Sequence, residues 1–231
     1  MIDIHFNFYS DSRWKDPDSH SPTLKKYHKY LWEKSLPNGD IFYLDEKKEW
    51  IYLYHKSNNE FFLWSDAITN SYRDQKRKQS VISKIPEKAQ ELFDLGSTIG
   101  AYILFPNNKI DGKHTINQAR WTYSMIDDRF DITLECIRLF YERKQSPLFE
   151  VLERYKNFFD LFWNFNNYVY FFLLEDLIDE TYQIKFYLPF DYFKTHPSIK
   201  NVEEYLIYHK NVTNFINARN KRIERYCLQN L

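Results

Sequence analysis

The spacing of apolar residues changes near residue 112, and this change restricts the folds that the chain can adopt. Before it, apolar and polar residues alternate in residues 2–8, and residues 99–105 form a nearly continuous apolar run. After it, apolar residues recur at helical spacing, as in residues 148–162. Alternation is typical of strands, and a spacing of about 3.6 residues is typical of helices. We therefore predict an α+β fold, with a mixed, mainly antiparallel sheet from the N-terminal half covered by helices of the C-terminal half.

The sequence shows no domain boundary. Its 231 residues contain no internal repeat, no low-complexity linker and no abrupt change of composition. This length exceeds the ~100–150 residues most common for one domain, so one domain or two would fit it. Because no linker is visible, we predict a single α+β domain over residues 1–231. Its strand-rich part would span residues 1–112 and its helix-rich part residues 113–231.

Charge and cysteine content exclude several kinds of protein. Lysine plus arginine number 32, as do aspartate plus glutamate, so no global field attracts nucleic acid, although a local patch is compatible with these counts. The two cysteines, Cys136 and Cys227, lie far apart, and neither has metal-ligand spacing with a histidine. We therefore predict no metal site of the zinc type, no disulfide scaffold and no cofactor.

Aromatic residues make up 19% of the chain, and two interpretations account for them. They could be stacking platforms for bases or sugars, or they could fill the core. Most of them fall at core spacings, which favours the second interpretation.

The termini and apolar runs predict a soluble, cytoplasmic protein without a membrane partner. The sequence begins without the basic and then apolar pattern of a signal peptide. Its most hydrophobic run, YVYFFLL at residues 168–174, has seven residues, whereas a membrane-spanning helix needs ~20.

Residues 110–120, IDGKHTINQAR, follow an apolar run and contain a glycine-lysine pair, which raises the question of a phosphate-binding loop. A Walker-type loop needs glycine, four further residues and then Gly-Lys-Ser/Thr. Asn107 occupies the position of the required first glycine, and His114 follows Lys113 where the hydroxyl residue should be. The sequence therefore excludes a phosphate loop of the known kind.

A weaker hypothesis survives for the same loop. Lys113, Asn117 and Arg120 lie within eight residues just after a predicted central strand, a place where ligands often bind. These side chains could hold an anion, and His114 could act as a general acid or base. The alternative is a solvated turn that leads into a helix.

The helix predicted at residues 128–144 has apolar residues on most of its circumference. A narrow polar stripe remains, formed by Asp131, Glu135, Arg138 and Glu142. If this stripe faces a cleft, Asp131 and Glu135 are one turn apart and suit metal or acid–base chemistry. The alternative is an ion pair between Glu135 and Arg138 along a half-exposed helix.

Arg219 lies in the middle of the apolar stripe of the predicted terminal helix at residues 202–229. A buried guanidinium must be neutralised, because burial of a bare charge is costly. We expect it to point inward and to pair with a carboxylate, either Asp131, Glu135 or Glu175. The alternative is that Arg219 holds a bound anion.

Six segments of the sequence carry a resemblance to known sequences. They are KDPDSHSPTLKKYHKYLWEKSLPNG, TIGAYILFPNNKIDGKHTINQAR, DRFDITLECIRLFYERKQSPLFEVLERYKNFFDLF, FFLLEDLI, FYLPFDYF and FINARNKRI. Together they resemble an uncharacterised bacterial family, a domain of unknown function, over nearly the whole chain. The resemblance implies a bacterial, cytoplasmic, single-domain protein and no particular activity. Where the family carries glycine after INQAR, this chain has Trp121.

Two hypotheses for function follow. The first is an enzyme that acts on a phosphate-bearing substrate, a nucleotide or a nucleic acid, in a toxin or phage-defence setting that the resemblance suggests. Its anion-binding residues would be Arg120, Arg129 and Arg219, and its proton or metal chemistry would come from the other candidates. These are Asp131, Glu135 and His114.

The alternative is a non-catalytic binding or interaction module. Exposed aromatic residues and the basic segment at residues 73–84 would then contact a partner. Convergence distinguishes the two hypotheses, because an enzyme gathers its charged groups in one pocket. The sequence predicts no particular oligomeric state.

Overall fold

The N-terminal half of the chain forms a four-stranded antiparallel sheet. The structure, a computed structural model, describes residues 2–13, 15–45, 53–56, 60–68 and 78–229. The strands lie in the sheet in chain order, with bounds β1 Leu44–Asp45, β2 Leu53–Lys56, β3 Glu60–Ala67 and β4 Tyr102–Pro106. This sheet confirms the predicted α+β fold class, and all of its described strand pairs are antiparallel.

Helices account for most of the remaining described residues and predominate after residue 112. Their bounds are α1 Pro17–His20, α2 Pro22–Trp32, α3 Gln79–Ile82, α4 Pro86–Gly96, α5 Ile116–Thr122, α6 Phe130–Tyr141, α7 Phe149–Arg154, α8 Lys156–Asp160, α9 Phe165–Phe171 and α10 Val202–Gln229. Within the described ranges, none of them combines the length and the apolar character that a membrane crossing requires. The helix-rich second half is thus as predicted, whereas the single-domain assignment stays a prediction.

Strand β4 is buried along its whole length. All five of its side chains are buried, and it pairs with β3 from Leu63 opposite Pro106 to Ala67 opposite Tyr102. A continuous apolar run of this kind is typical of a strand covered on both faces. The end of β3 at Ala67 and the start of β4 at Tyr102 therefore lie side by side, and the candidate site lies at that end.

Ser21 followed by Pro22 predicts a helix start, with Ser21 as the N-cap, and α2 begins there. Pro22 fills the first helical position, and the Ser21 hydroxyl accepts a hydrogen bond from the N–H of Leu24 (3.0 Å) while donating to Asp11 (2.6 Å). The buried face of the helix follows the helical period. It consists of Leu24, Tyr27, His28, Leu31 and Trp32.

A buried histidine joins α2 to β3. Trp32 Nε1 donates to His28 Nδ1 (2.9 Å), so Nε2 carries the ring hydrogen and donates to the Ser65 hydroxyl (2.9 Å). Burial lowers the pKa of His28 to about 3, and the nearby charge of Arg219 acts in the same direction. The ring is thus neutral at physiological pH, which keeps this link intact.

Residues 2–8 do not form the strand that their alternation predicts. Ile2, Ile4 and Phe8 are buried as the pattern requires, but the segment pairs with no strand in the described structure. The N–H of Phe8 instead donates to the carbonyl of Ser97 (3.0 Å). Alternating burial therefore reflects a coil that lies on the core.

The segment YQIKFYLPF at residues 182–190 also predicts a strand, and this prediction is wrong. One isolated bridge joins Ile178 and Ile184, and no further pairing follows in the described residues. The N–H of Tyr187 donates to the carboxylate of Asp131 (2.8 Å), so a side chain takes the acceptor role that a neighbouring strand would have had. The segment WIYLYH at residues 50–55 predicts another strand, and it lies partly outside the described residues.

The segment SPLFEVLERYKNFFDLFW at residues 146–163 predicts a single helix, but this helix is interrupted. Helices α7 and α8 meet at Tyr155, whose main chain leaves the helical region. The Tyr155 hydroxyl donates to the carbonyl of Asn108 (3.0 Å), which fixes the junction to the loop after β4. The sequence also predicts a helix over PEKAQELFDLG at residues 86–96, and α4 confirms it. Helices α6 and α10 confirm the helices predicted at residues 128–144 and 202–229.

Helix α10 packs closely against the turn that precedes β4. The Asn220 side chain accepts from the N–H of Gly100 (2.7 Å) and donates to the Thr98 hydroxyl (2.9 Å). A Cβ atom at residue 100 would lie 2.6 Å from Asn220 Oδ1 and 2.7 Å from the carbonyl oxygen of Ile216. Both distances are shorter than van der Waals contact, so only glycine fits here.

We expect Gly100→Ala to lower the free energy of unfolding by about 1–3 kcal/mol, because the added methyl group forces α10 away from the turn. Urea denaturation measures this change. A variant as stable as the wild type would show that the helix can move aside without cost, and would contradict the close packing described above.

Candidate functional site

The loop after β4 divides into an exposed and a buried part. Lys113 and His114 are exposed, and the main-chain carbonyl of His114 accepts from Arg154 (2.7 Å). Asn117 is half-buried, and its side-chain oxygen is enclosed without a hydrogen-bond donor in the described structure. Arg120 is fully buried. The four candidate residues of this loop therefore do not face one common pocket.

Arg129 and Asp131 form a buried ion pair at the start of α6. Nη2 of Arg129 lies 2.5 Å from the Asp131 carboxylate and also donates to the carbonyl of Leu188 (3.3 Å). Asp131 in turn accepts from the N–H of Tyr187. The pair attaches residues 187–188 to α6, which is a structural role for both candidates.

Glu135 has the partner that the alternative interpretation proposed. Arg138 donates to both of its carboxylate oxygens, at 2.7 and 2.9 Å, and also pairs with Glu142. The polar stripe of α6 is thus an ion-pair series along one helix. Glu135 and Asp131 therefore both have arginine partners within the protein, and a role of either in metal or proton chemistry stays a prediction.

Arg219 points inward, as predicted, but its expected partner is wrong. Its guanidinium donates to four main-chain carbonyls instead of a carboxylate, and each donor distance lies between 2.8 and 3.2 Å. The acceptors are the carbonyls of Gly100, Tyr102, Phe172 and Leu173. These contacts do not support the alternative of a bound anion, because all three guanidinium nitrogens donate to carbonyls.

The four carbonyls lie where a cation is favourable. Phe172 and Leu173 follow the C-terminal end of α9, and Leu173 has a positive φ of 54° that directs carbonyls towards the arginine. Carbonyls at a helix C-terminus carry partial negative charge. Burial lowers the pKa of Arg219 to about 10, so the group is still charged at neutral pH.

Arg120 is the candidate residue around which further charged groups gather. Its guanidinium pairs with Asp66 near the end of β3 and lies 3.5 Å from the Asp128 carboxylate. Nε donates to the Thr133 hydroxyl (3.1 Å), and Nη1 also donates to the carbonyl of Ala67 (3.2 Å). Burial lowers the pKa of Arg120, and the charge of Asp128 opposes this change.

Asp127 and Asp128 form a strained turn beside this guanidinium. Both have positive φ angles, 51° and 59°, and both are buried. Asp127 pairs with buried Lys78, and the N–H of Asp128 donates to the carbonyl of Arg120 (2.9 Å). Consecutive non-glycine residues in the left-handed region are costly, and such strain is concentrated at functional sites.

Asp18, in α1, is the fourth carboxyl group near Arg120. Burial is the main cause of a pKa well above the ordinary value, and the charges of Asp16 and Asp128 raise it further. The N–H of Ala67 and the charge of Arg120 act in the opposite direction without cancelling the effect. Asp18 is thus the described aspartate of this group that burial favours in the protonated form.

We call this set the aspartate–arginine cluster. It consists of Arg120, Lys78, Asp18, Asp66, Asp127 and Asp128. Five separate segments supply these residues, and the formal count is four acids to two bases. No group of three or more His, Cys, Asp or Glu side chains in the described part of the chain has the arrangement of a metal site.

Sequence reasoning included Arg120 among the candidates but missed its partners. Asp18 reads as an ordinary residue of a helix start, and Asp66 as the polar end of a strand. The one local signal is the Asp127–Asp128 doublet between two predicted helices, because aspartate tolerates positive φ better than most residues. Only the fold reveals that these residues meet.

Comparison with known proteins yields one family. A pattern described as "Family of unknown function (DUF6994)" matches residues 2–223. No curated protein and no solved structure gives a significant match.

We expect Arg219→Met to destabilise the protein by at least about 3 kcal/mol. Four buried carbonyls would lose their donor, and each buried acceptor left unpaired costs about 1–3 kcal/mol. Chemical denaturation measures the loss. Arg225→Met, at an exposed position of the same helix, is the matched control and should change stability by less than about 0.5 kcal/mol. Equal effects of the two variants would contradict the structural role of Arg219.

We expect Asp18→Asn to stabilise the protein at neutral pH. A raised folded-state pKa contributes stability below the ordinary pKa of 3.8, and that contribution is lost as the pH rises through the folded pKa. Asparagine imitates the protonated carboxyl at every pH, so the melting temperature of the variant should exceed that of wild type by a margin that grows as the pH rises above about 4. The difference in free energy of unfolding between the variant and the wild type cannot change by more than about 1.4 kcal/mol per pH unit.

Asp160→Asn, at an exposed helix position, is the control for this pH series. If the melting temperatures of Asp18→Asn and Asp160→Asn change with pH in the same way, Asp18 does not hold its proton in the folded state.

Proposed function

The chain belongs to DUF6994, a family of unknown function, and we propose from its own geometry that it is an enzyme whose acid–base site is the aspartate–arginine cluster. The observation that carries this proposal is the convergence of Asp66, Asp128 and Asp18, from three separate segments, on one buried guanidinium. Charged groups that gather from separate segments are one mark of an enzyme.

Two carboxyl groups of the cluster have opposite environments. Asp18 is favoured in its protonated form by burial and by neighbouring acids, whereas Asp66 forms an ion pair with Arg120. A pair of carboxyl groups in which one keeps its proton and the other is ionised is the usual basis for acid–base assignments. We assign Asp18 as the general acid and Asp66 as the general base.

This assignment describes a hydrolysis. Asp66 takes a proton from water, the water oxygen forms a bond to the electrophilic atom, and the bond to the leaving group breaks. Asp18 gives its proton to the leaving group, so the site returns to its starting charge after one proton exchange with solvent. Arg120 holds Asp66 in position, and the strained Asp127–Asp128 turn holds the guanidinium.

The charge of the cluster favours an uncharged substrate. Four aspartates face two cations there, and the three arginines expected to hold phosphate all donate to protein groups. A phosphate-bearing substrate, either a nucleotide or a nucleic acid, is the second candidate class. Arg120, Arg129 and Arg219 would have to exchange these protein acceptors for it.

We also propose a cytoplasmic, bacterial setting. Cys136 and Cys227 are buried free thiols, which suits a reducing compartment. The bacterial assignment and a toxin or phage-defence role rest on the resemblance described above.

A non-catalytic binding module is the alternative function. Trp163 and Tyr192 are 62% and 69% exposed, as contact residues of such a module would be. Residues 73–77 of the basic segment lie outside the described residues. Lys78, which follows them, is buried against Asp127 and does not present its charge to a partner.

Assays with p-nitrophenyl glycosides, esters and phosphates test the proposal. We expect hydrolysis of a neutral reporter with a bell-shaped dependence of kcat/KM on pH, because one carboxyl group must be protonated and another ionised. Asp18→Asn should lower kcat by about 10²–10⁴-fold while the protein stays folded. Asp160→Asn is the control and should leave kcat unchanged.

Three results would count against this function. Turnover unaffected by Asp18→Asn would place the reaction elsewhere, and turnover of the phosphate reporter alone would favour the second substrate class. Reporter binding without turnover, measured by calorimetry, would favour the binding module.

A further inference from the structure

A pocket lies between the segment at residues 188–200 and the first two turns of α10. Its volume is about 440 Å³, and small-molecule sites in proteins usually measure ~300–1,000 Å³. Arg129 and Leu188 are buried and close the pocket on its inner side, whereas its other lining residues are half-buried or exposed. The pocket therefore has a floor of buried protein and an opening to solvent.

Most of the body of this pocket is apolar. Phe190 forms part of its wall and packs against Phe186 and Phe193, with ring centres 4.6 and 4.8 Å apart. These ring contacts hold Phe190 in place, so the wall exists before a ligand arrives. Such a surface suits the ring or hydrocarbon part of a ligand. The apolar lining residues are Leu188, Pro189, Phe190, Pro197 and Ile207.

The acidic side chains of the lining are engaged by hydrogen bonds within the protein. Asp191 accepts from the N–H of Lys194 (3.0 Å) and from the hydroxyl of Thr195 (2.7 Å). Glu204 accepts from the N–H of Lys200 (2.8 Å). Both carboxylates therefore stabilise the segment before α10 and the start of that helix, which gives them a role without a ligand.

The basic side chains at the opening have no such role. Lys200 and His196 line the pocket and are exposed. Within the part of the chain that the structure describes, no hydrogen bond or ion pair engages the Lys200 ammonium group or the His196 ring. The N-terminal end of α10 lies beside them and adds partial positive charge. The pocket thus offers positive charge that the protein itself does not use.

The charges of the lining also restrict how negative a ligand can be. Arg129 and Lys200 are balanced in formal charge by Asp191 and Glu204, and Arg129 already has Asp131 as its partner. A ligand with two negative charges would meet repulsion from both carboxylates, whereas one negative charge can be matched at the opening. A carboxylate therefore fits better than a phosphate.

We propose that this pocket binds a small monocarboxylate with an aromatic body. Its carboxylate would lie at Lys200 and His196, and its ring against Phe190 and Ile207. The size of the pocket, its apolar wall and the two basic side chains without partners carry this inference. It concerns other residues than the aspartate–arginine cluster and does not depend on the hydrolase proposal.

Isothermal titration calorimetry on the full chain tests the proposal, with phenylacetate as the probe. Phenylacetamide has nearly the same shape without the charge, acetate has the charge without the ring, and phenyl phosphate has a second charge. We expect phenylacetate to bind about tenfold more tightly than each of the three, because only phenylacetate supplies a ring and a single negative charge together.

Two pairs of variants separate the contribution of the charge from that of the apolar wall. Lys200→Gln should weaken phenylacetate about tenfold and leave phenylacetamide unchanged. Lys210→Gln, at an exposed position of α10 outside the pocket, is its matched control and should change neither affinity.

Ile207→Ser should instead weaken phenylacetate and phenylacetamide by the same factor, because both probes place a ring on this wall. Leu206→Ser is the matched control, since Leu206 is 42% exposed and Ile207 46%, but only Ile207 lines the pocket. Circular dichroism confirms that each variant is folded.

The proposal is overturned if phenylacetate does not bind, if phenylacetamide or phenyl phosphate binds as tightly, or if Lys200→Gln and Lys210→Gln have equal effects. Binding that Ile207→Ser leaves unchanged would place the ligand elsewhere and would also overturn it. Hydrolase activity does not enter these measurements, so the two proposals fail independently.

Discussion

The guanidinium of Arg219 is the interaction on which the arrangement of the other elements depends. It holds carbonyls from the turn before β4 and from the end of α9 against α10, and no carboxylate shares the position. Carbonyl dipoles can neutralise a buried cation when several of them converge, and the planar fork of arginine suits that arrangement. The sheet and the helical half are thus attached to each other through main-chain atoms, which no substitution of the acceptor residues can remove.

The same charge also influences its neighbours. It lowers the pKa of His28, which keeps the link between α2 and β3 neutral, and it contributes to the lowered pKa of Lys34. A cation compensated only by dipoles repels other cations more effectively than one paired with a full negative charge. The residue that stabilises the fold therefore also favours the neutral forms of His28 and Lys34. This offers a physical reason for a charged group at a position where an apolar side chain would pack.

The sequence predicted those features that local chemistry determines. The Ser21–Pro22 helix start, the buried β4 and the inward direction of Arg219 all follow from spacing and capping rules. The sequence did not predict hydrogen-bond or ion-pair partners that are distant in the chain or belong to the main chain. Alternation at residues 2–8 could not distinguish a strand from a coil that lies on the core. Main-chain carbonyl acceptors, such as those of Arg219, cannot be inferred from residue types. Likewise, nothing near Asp18 or Asp66 in the sequence indicates that both lie beside Arg120.

The span of the contacts made by α10 has a consequence for how the chain folds during synthesis. Arg219 and Asn220 bind residues that lie 117 to 122 positions earlier in the sequence. Contacts of such long range form late, because closing a long loop is entropically unfavourable until much else is in place. The turn before β4 therefore stays without its native hydrogen-bond partners while the next hundred or so residues emerge from the ribosome. During that interval the sheet edge and the apolar surface that α10 later buries are exposed. We expect chaperones to bind the chain mainly at this stage.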